Sequence, residues 1–245
     1  MRSSHHAFHL RYGWMAWPSV GTTLSAPPDY PVAEWEHDGL HLLEHAFTPH
    51  EIRLVVSAGP DLAPVDVARL LKGRLQHAMR KAAVPVNFSR KVALRAIGHN
   101  TRVVVERYIR NQLRQTELAD SRYRDALQRH SFAQREVDLA QPSETNSGRY
   151  WFNLHVVLVT ANRFRMGSEV AGRISTACRL PAVAKCAVMP DHLHLAVKAD
   201  PAKSPTHVAR SFQELTATAT GMLGFWLDTF YVGTFGEYGM EATRP

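Results

Sequence analysis

The chain has 245 residues, 45% hydrophobic and 21% charged, which excludes a disordered polymer and leaves room for one large core or two of about 100 residues each. Its formal net charge of +7 favours a polyanionic partner, nucleic acid before anionic membrane. With no apolar run of bilayer length, no signal-peptide pattern in "MRSSHHAFHLRYGW" and two cysteines, Cys178 and Cys186, the expectation is a cytoplasmic, nucleoid-associated protein with no membrane part.

In chain order, "FHLRYGWMAW" from Phe8 reads as a first strand. "TPHEIRLVVSAGPDLAPVDVAR" (48–69) reads as strand, turn and a helix opened by Pro64, a favoured first-turn residue. "VALRAIGHN" from Val92 is a further strand, and "ERYIRNQ" places Tyr108 and Gln112 four residues apart, on one face of a helix. The stretch from Leu113 to Gly148 begins helix-like, with Leu113, Leu118, Tyr123 and Leu127 loosely spaced, and runs into the polar connector "QPSETNSG". Residues 120–147 are expected to be a solvated tether without chemistry. Three segments then follow: "FNLHVVLVTANRFR" from Phe152, "MPDHLHLAVKADPAKSPTHVAR" (189–210) and "FYVGTFGEY" from Phe230.

These last three segments repeat the first three. Pro49–Arg69 aligns with Pro190–Arg210 without a gap at an offset of 141, with nine of 21 positions identical. Phe8 aligns with Phe152 at an offset of 144, and Gly98 with Gly236 at 138. Order preserved across three blocks points to two copies of one α/β unit, over 1–112 and 147–245, joined by a linker over 113–146.

The copies differ where chemistry could reside. His192 and His194 are two apart on a predicted strand, so they face the same way and can share an ion while Leu193 and Leu195 enter the core. Their counterparts are Glu51 and Arg53, and an arginine stays protonated and binds no metal. Taken alone, two of the chain's 14 histidines at this spacing are as readily plain strand histidines, and Tyr108 as readily a packed helix tyrosine. A zinc site from Cys178, Cys186, His192 and His194 has an unusual ligand spacing.

"PDHLHLAV" resembles the His-hydrophobic-His (HUH) motif of the single-tyrosine HUH transposases, including the REP-associated tyrosine transposases, and "ERYIRNQ" resembles their "YI..Q" helix. "RAIGHN" and "GTFGEY" are similar to the family's preceding "T.G" element. The resemblance implies an α+β fold of two ferredoxin-like units, each an antiparallel sheet with helices on one face, fused as a pseudo-dimer. It implies Tyr108 as nucleophile and His192, His194 and Gln112 as ligands of a divalent Mg²⁺ or Mn²⁺. The substrate implied is single-stranded DNA, commonly beside a hairpin, cleaved and rejoined through a 5′-phosphotyrosine.

Insertion-sequence members of that family dimerise and exchange tyrosine helices. Here the first copy holds the tyrosine and the second the histidines, and with the 138 offset the counterpart of Tyr108 falls at position 246, one beyond Pro245. One composite site within the chain is therefore expected, with further homodimerisation open. Arg69, Lys72 and Arg74, with Arg163 and Arg165, are the candidate DNA contacts, although basic residues on such helices also form plain solvated faces. A catalytically silent DNA-binding protein derived from a transposase, or a nickase of the relaxase or replication-initiator type, are the alternatives.

Overall fold

The computed structural model describes residues 6–98, 105, 107, 109 and 121–236; Tyr108 and Gln112 lie outside them. The fold is α+β, with two six-stranded sheets and five α-helices among the described residues. In the first half β1 (Ala7–His9) and β2 (Arg11–Pro18) precede α1 (Val32–His37), β3 (Leu40–Thr48), β4 (Glu51–Ala58), α2 (Pro64–Lys81) and β5 (Phe88–Ile97). The connecting region contributes α3 (Ser121–His130), β6 (Phe132–Ala133), β7 (Ser143–Glu144) and β8 (Gly148–Trp151). The second half has β9 (Asn153–Thr160), α4 (Ser168–Ala177), β10 (Val183–Val188), β11 (His192–Lys198), α5 (Pro205–Thr220) and β12 (Trp226–Thr234).

Local chemistry sets the two long helices. Proline stands first in both α2 and α5, where its missing N–H costs nothing. Asp66 and Arg80–Lys81 suit the dipole ends of α2. Ser204 caps α5 by accepting from the His207 N–H, and Gly221 ends it in the left-handed conformation at φ 70°.

The sheets run β3-β4-β2-β5-β8-β7 and β1-β12-β9-β11-β10-β6. Within them, β3-β4-β2-β5 and β10-β11-β9-β12 are the same antiparallel arrangement: second strand, third, first, fourth. The ends are exchanged, since β1 pairs in parallel with β12 and β8 in parallel with β5. Each half thus lends the lead-in to its first strand to the other half's last strand. One buried cluster runs through both helix-bearing faces, from Leu10, Tyr12 and Leu71 to Phe152, Leu195 and Phe212, and the Tyr12 and Phe152 rings meet at 6.3 Å.

The sequence offsets reappear as reciprocal contacts. The Val65 N–H donates to Pro201 O at 3.1 Å and the Thr206 N–H to Pro60 O at 3.0 Å, each partner 141 positions from its counterpart. A Cβ on Gly98 would lie 2.5 Å from Thr234 O, and one on Gly236 2.4 Å from Ala96 O, all at the 138 offset. Only a residue without a side chain lets the two final strands approach this closely. Gly98→Ala and Gly236→Ala should each cost about 1–3 kcal/mol through overpacking. In thermal denaturation that is a fall of about 2–4 °C per kcal/mol for a chain of this size, and unchanged melting in both would contradict the contact.

The first-strand alignment needs correction. Ile52 pairs with Ala16 and Leu193 with Leu158, so the offset there is 142, with Leu10 rather than Phe8 facing Phe152. A shift of two leaves every side chain on its expected face. The connecting region is not a solvated tether either. Leu127 is fully buried, the Tyr123 hydroxyl donates to Met166 O at 2.8 Å, and β6 extends the second half's sheet along β10. No helix among the described residues is long and apolar enough to cross a membrane.

Candidate active site

Along β11, Leu193, Leu195 and Val197 enter the main core, while His192, His194 and Ala196 face the other side of the sheet. The two histidines therefore share a face, with ring centres 4.9 Å apart and planes at 75°. An imidazole ligated through Nε2 about 2.1 Å from an ion has its ring centre roughly 3.2 Å away, so two on neighbouring octahedral or tetrahedral corners stand roughly 4.6–5.3 Å apart. The observed separation fits one shared ion.

Both rings are held from behind through Nδ1. His192 Nδ1 lies 2.7 Å from Asp191 Oδ1, whose other oxygen accepts from Arg163 Nη1 at 3.1 Å. Burial pushes the Asp191 carboxyl up, but the hydrogen bonds from His192 and Arg163 outweigh it and hold the group below its usual range. A carboxylate on Nδ1–H fixes the tautomer that leaves the Nε2 lone pair available. His194 Nδ1 lies 3.0 Å from Nε2 of a third histidine, His155 on β9. Burial, and then the imidazoles of His155 and His192, holds His194 down to about 2, and burial takes His155 to about 4. The His194 and His155 imidazoles are therefore neutral at neutral pH, and neutral is the state in which His194 could ligate a metal.

Sequence reasoning missed His155. It sits opposite Ala196, one pairing step from His194, and Tyr231 on β12 packs edge-on against it at 5.7 Å. By the pairing registers, the first half has Glu51, Arg53, Gly13 and Ala93 where the second has His192, His194, His155 and Tyr231. Glu51 and Arg53 are hydrogen-bonded to each other. Met15 and Ala93 are covered by Trp151, over which Arg95 stacks at 5.7 Å.

The histidine face is covered differently. Val105 and Ile109, helical residues that follow the first half's last strand, form a buried cluster with Ala184, Ala187, Ala196 and Phe235 of the second half. Ala187 pairs directly with His194, and Ala196 is two residues beyond it on the same face. Val137 and Leu139 complete that cluster. Of the expected site residues, His192 and His194 are thus brought together, whereas Tyr108 and Gln112 lie outside the described residues. Among the described residues, no group of three or more His, Cys, Asp or Glu is arranged to hold an ion. Tyr123 packs on the opposite, helix-bearing side of the core, and burial raises its hydroxyl pKa.

The basic residues divide. Arg163 is mostly exposed beside Asp191, in a turn where it and Asn162 have φ near +55°, and Arg165 is exposed two residues on. Arg69 and Lys72 border one cleft on α2. Arg74 is clamped to Asp38 by two hydrogen bonds of 2.8 and 2.9 Å, a tie between α2 and the end of α1. Compared with known protein families and with curated proteins, the chain matches no family and no curated protein.

Proposed function

We propose that the chain is a tandem pseudo-dimer of two ferredoxin-like units that cleaves and rejoins single-stranded DNA at one composite site. The repeated strand order, the exchanged β1 and β8 and the reciprocal helix contacts support the duplication. One observation carries the composite site: Val105 and Ile109, from the end of the first half, share a buried cluster with Ala187, the cross-strand partner of His194 in the second. Positions 105, 108, 109 and 112 have the i, i+3, i+4, i+7 spacing of one helical face in the sequence, which supports assigning Tyr108 and Gln112 to the histidines of the other half.

On this reading Tyr108 is the nucleophile and His192, His194 and Gln112 hold a divalent Mg²⁺ or Mn²⁺. Two imidazole nitrogens and an amide oxygen are equally suited to Mn²⁺. When bound, such an ion supplies Lewis acidity and orientation at the scissile phosphate. The phenolic oxygen forms a bond to phosphorus as the bond to the 3′ oxygen breaks. The phenol proton is released, and the leaving oxygen takes one up to become a free 3′-OH. A second 3′-OH reverses the step and transfers the strand without ATP. The test is a covalent protein–DNA adduct on labelled single-stranded DNA with Mn²⁺; its absence under all metal conditions would leave the silent DNA-binding protein as the better reading.

His155 then acts as a positioning residue for His194. Outer-shell partners of metal-ligating histidines are worth about 10–100-fold in metal affinity. His155→Phe should weaken Mn²⁺ binding, read by electron paramagnetic resonance, by that factor, and His155→Gln, which keeps a polar partner for Nδ1, should recover part of it. Equal affinity in wild type and His155→Phe would remove the role.

A further inference from the structure

On the helix side of the first half's sheet, between α2, β5 and β8, an open cleft of about 320 Å³ is bordered by Arg69, Lys72, Gln76, Arg90, Ser147 and Tyr150. That is the low end of the roughly 300–1,000 Å³ typical of small-molecule sites. The corresponding place in the second half is filled. There His6 stacks on Phe230 with ring centres 3.9 Å apart and planes 9° from parallel, and the Arg210 guanidinium lies 5.4 Å from the same ring.

The pairing registers explain the difference. His6 corresponds to Gly148 and Phe230 to Val92, so the first half has neither ring. Gly148 cannot acquire a side chain, because a Cβ there would lie 2.1 Å from Val92 O. The cleft is open because of what these two positions lack.

Its charge differs as well. Arg69, Lys72 and Arg90 correspond to Arg210, Gln213 and Asp228, so three cations stand where the second half has one cation, one amide and one carboxylate. Arg210 is engaged with Gln213 Oε1 at 2.8 Å. In the first half Arg69 meets Asp66 at 3.1 Å, and the Lys72 ammonium donates to Ser89 O at 2.6 Å and Arg90 O at 2.9 Å. Those carbonyls orient the Lys72 charge without neutralising it, and Arg69 and Arg90 are exposed at the rim. The Ser147 and Tyr150 hydroxyls, 2.9 Å apart, add polar groups to the wall.

We propose that this cleft binds the phosphodiester backbone of a nucleic-acid strand, so that the half without histidines anchors the substrate on the helix face, away from the histidine face. The proposal rests on the strand-cleavage reading only in its choice of polyanion. The shared chemistry is a phosphate group, which a free phosphate also carries, and the test separates the two.

The experiment measures binding of a labelled single-stranded oligonucleotide to the full chain by fluorescence anisotropy across a salt series. Arg69→Gln/Arg90→Gln should lower affinity about tenfold or more and flatten the log–log salt slope by about 1.4, roughly 0.7 for each lost single-strand phosphate contact. Arg173→Gln/Lys203→Gln removes the same charge from the second half and should leave the slope nearly unchanged. Gln76→Glu, which sets a carboxylate in the cleft, should weaken binding as well. Wild-type affinity and slope in Arg69→Gln/Arg90→Gln would overturn the proposal. So would stabilisation of wild type but not of that variant by millimolar inorganic phosphate, with DNA affinity equal in the two; the cleft would then be a small-anion site. The two readings fail separately. If wild type forms no adduct but the variant binds DNA weakly, only cleavage is lost, and if wild type forms the adduct and the variant binds normally, only the cleft is lost.

Discussion

Tyr108→Phe should abolish the covalent adduct while leaving DNA affinity within about twofold of wild type. The substitution removes one hydroxyl, and no other group on the proposed helical face supplies a nucleophile. A fall of about 10³-fold or more corresponds to roughly 4 kcal/mol of transition-state stabilisation. Binding should persist, because on the proposed reading it would derive from phosphate contacts spread over basic side chains. Tyr123 is the control. Its hydroxyl is committed to Met166 O and its ring packs on the helix side of the core, so Tyr123→Phe should cost about 1 kcal/mol of stability and leave the adduct. Adduct formation by Tyr108→Phe, measured by gel shift of labelled DNA after denaturation, would remove Tyr108 from the chemistry. Its loss in Tyr123→Phe alone would transfer the role.

How much of this was legible depended on which signals are local. The long helices were, because Pro64 and Pro205 mark starts that need no tertiary context. The 141 and 138 offsets were, because identical residues anchored them, and they recur as reciprocal hydrogen bonds and glycine contacts. The first-strand offset of 144 differs by two from the paired register because "FHLRYGWMAW" and "FNLHVVLVTA" share few residues, and only strand pairing fixes the register. The connecting helix looked solvated because a helix on the rim of a sheet buries little; in α3 Leu127 is the one fully buried side chain. His155 was hidden for another reason. It lies 39 residues from His194, on a strand whose alternation is ordinary, and its relevance appears only when β9 is laid beside β11.

His192→Ala and His194→Ala should each reduce cleavage by more than about 10²-fold at fixed Mn²⁺, since even the outer-shell partners of such ligands are worth about 10–100-fold in affinity. The two variants should differ in a second respect. His194 is buried, is bonded to His155 and has Ala187 and Val157 as flanking partners, so its loss also opens a gap in the sheet face. His192 is part-exposed at the strand start and hangs on Asp191, so His192→Ala should melt closer to wild type. Gln112→Ala should give a partial defect, because a neutral amide oxygen is the weakest of the three proposed ligands. EDTA should stop the reaction, and Mg²⁺ or Mn²⁺ should restore it. The counterpart positions are the internal control. Glu51 and Arg53 are paired with each other on a face whose neighbouring Met15 and Ala93 are covered by Trp151, so Glu51→Gln/Arg53→Gln should leave adduct formation intact. The decisive measurement is the rate of adduct formation across these variants in metal-free, Mg²⁺ and Mn²⁺ buffers. Full activity in EDTA would take the ion out of the chemistry. A defect in Glu51→Gln/Arg53→Gln equal to that of His192→Ala would mean that both faces act on DNA, and the single composite site would have to be abandoned.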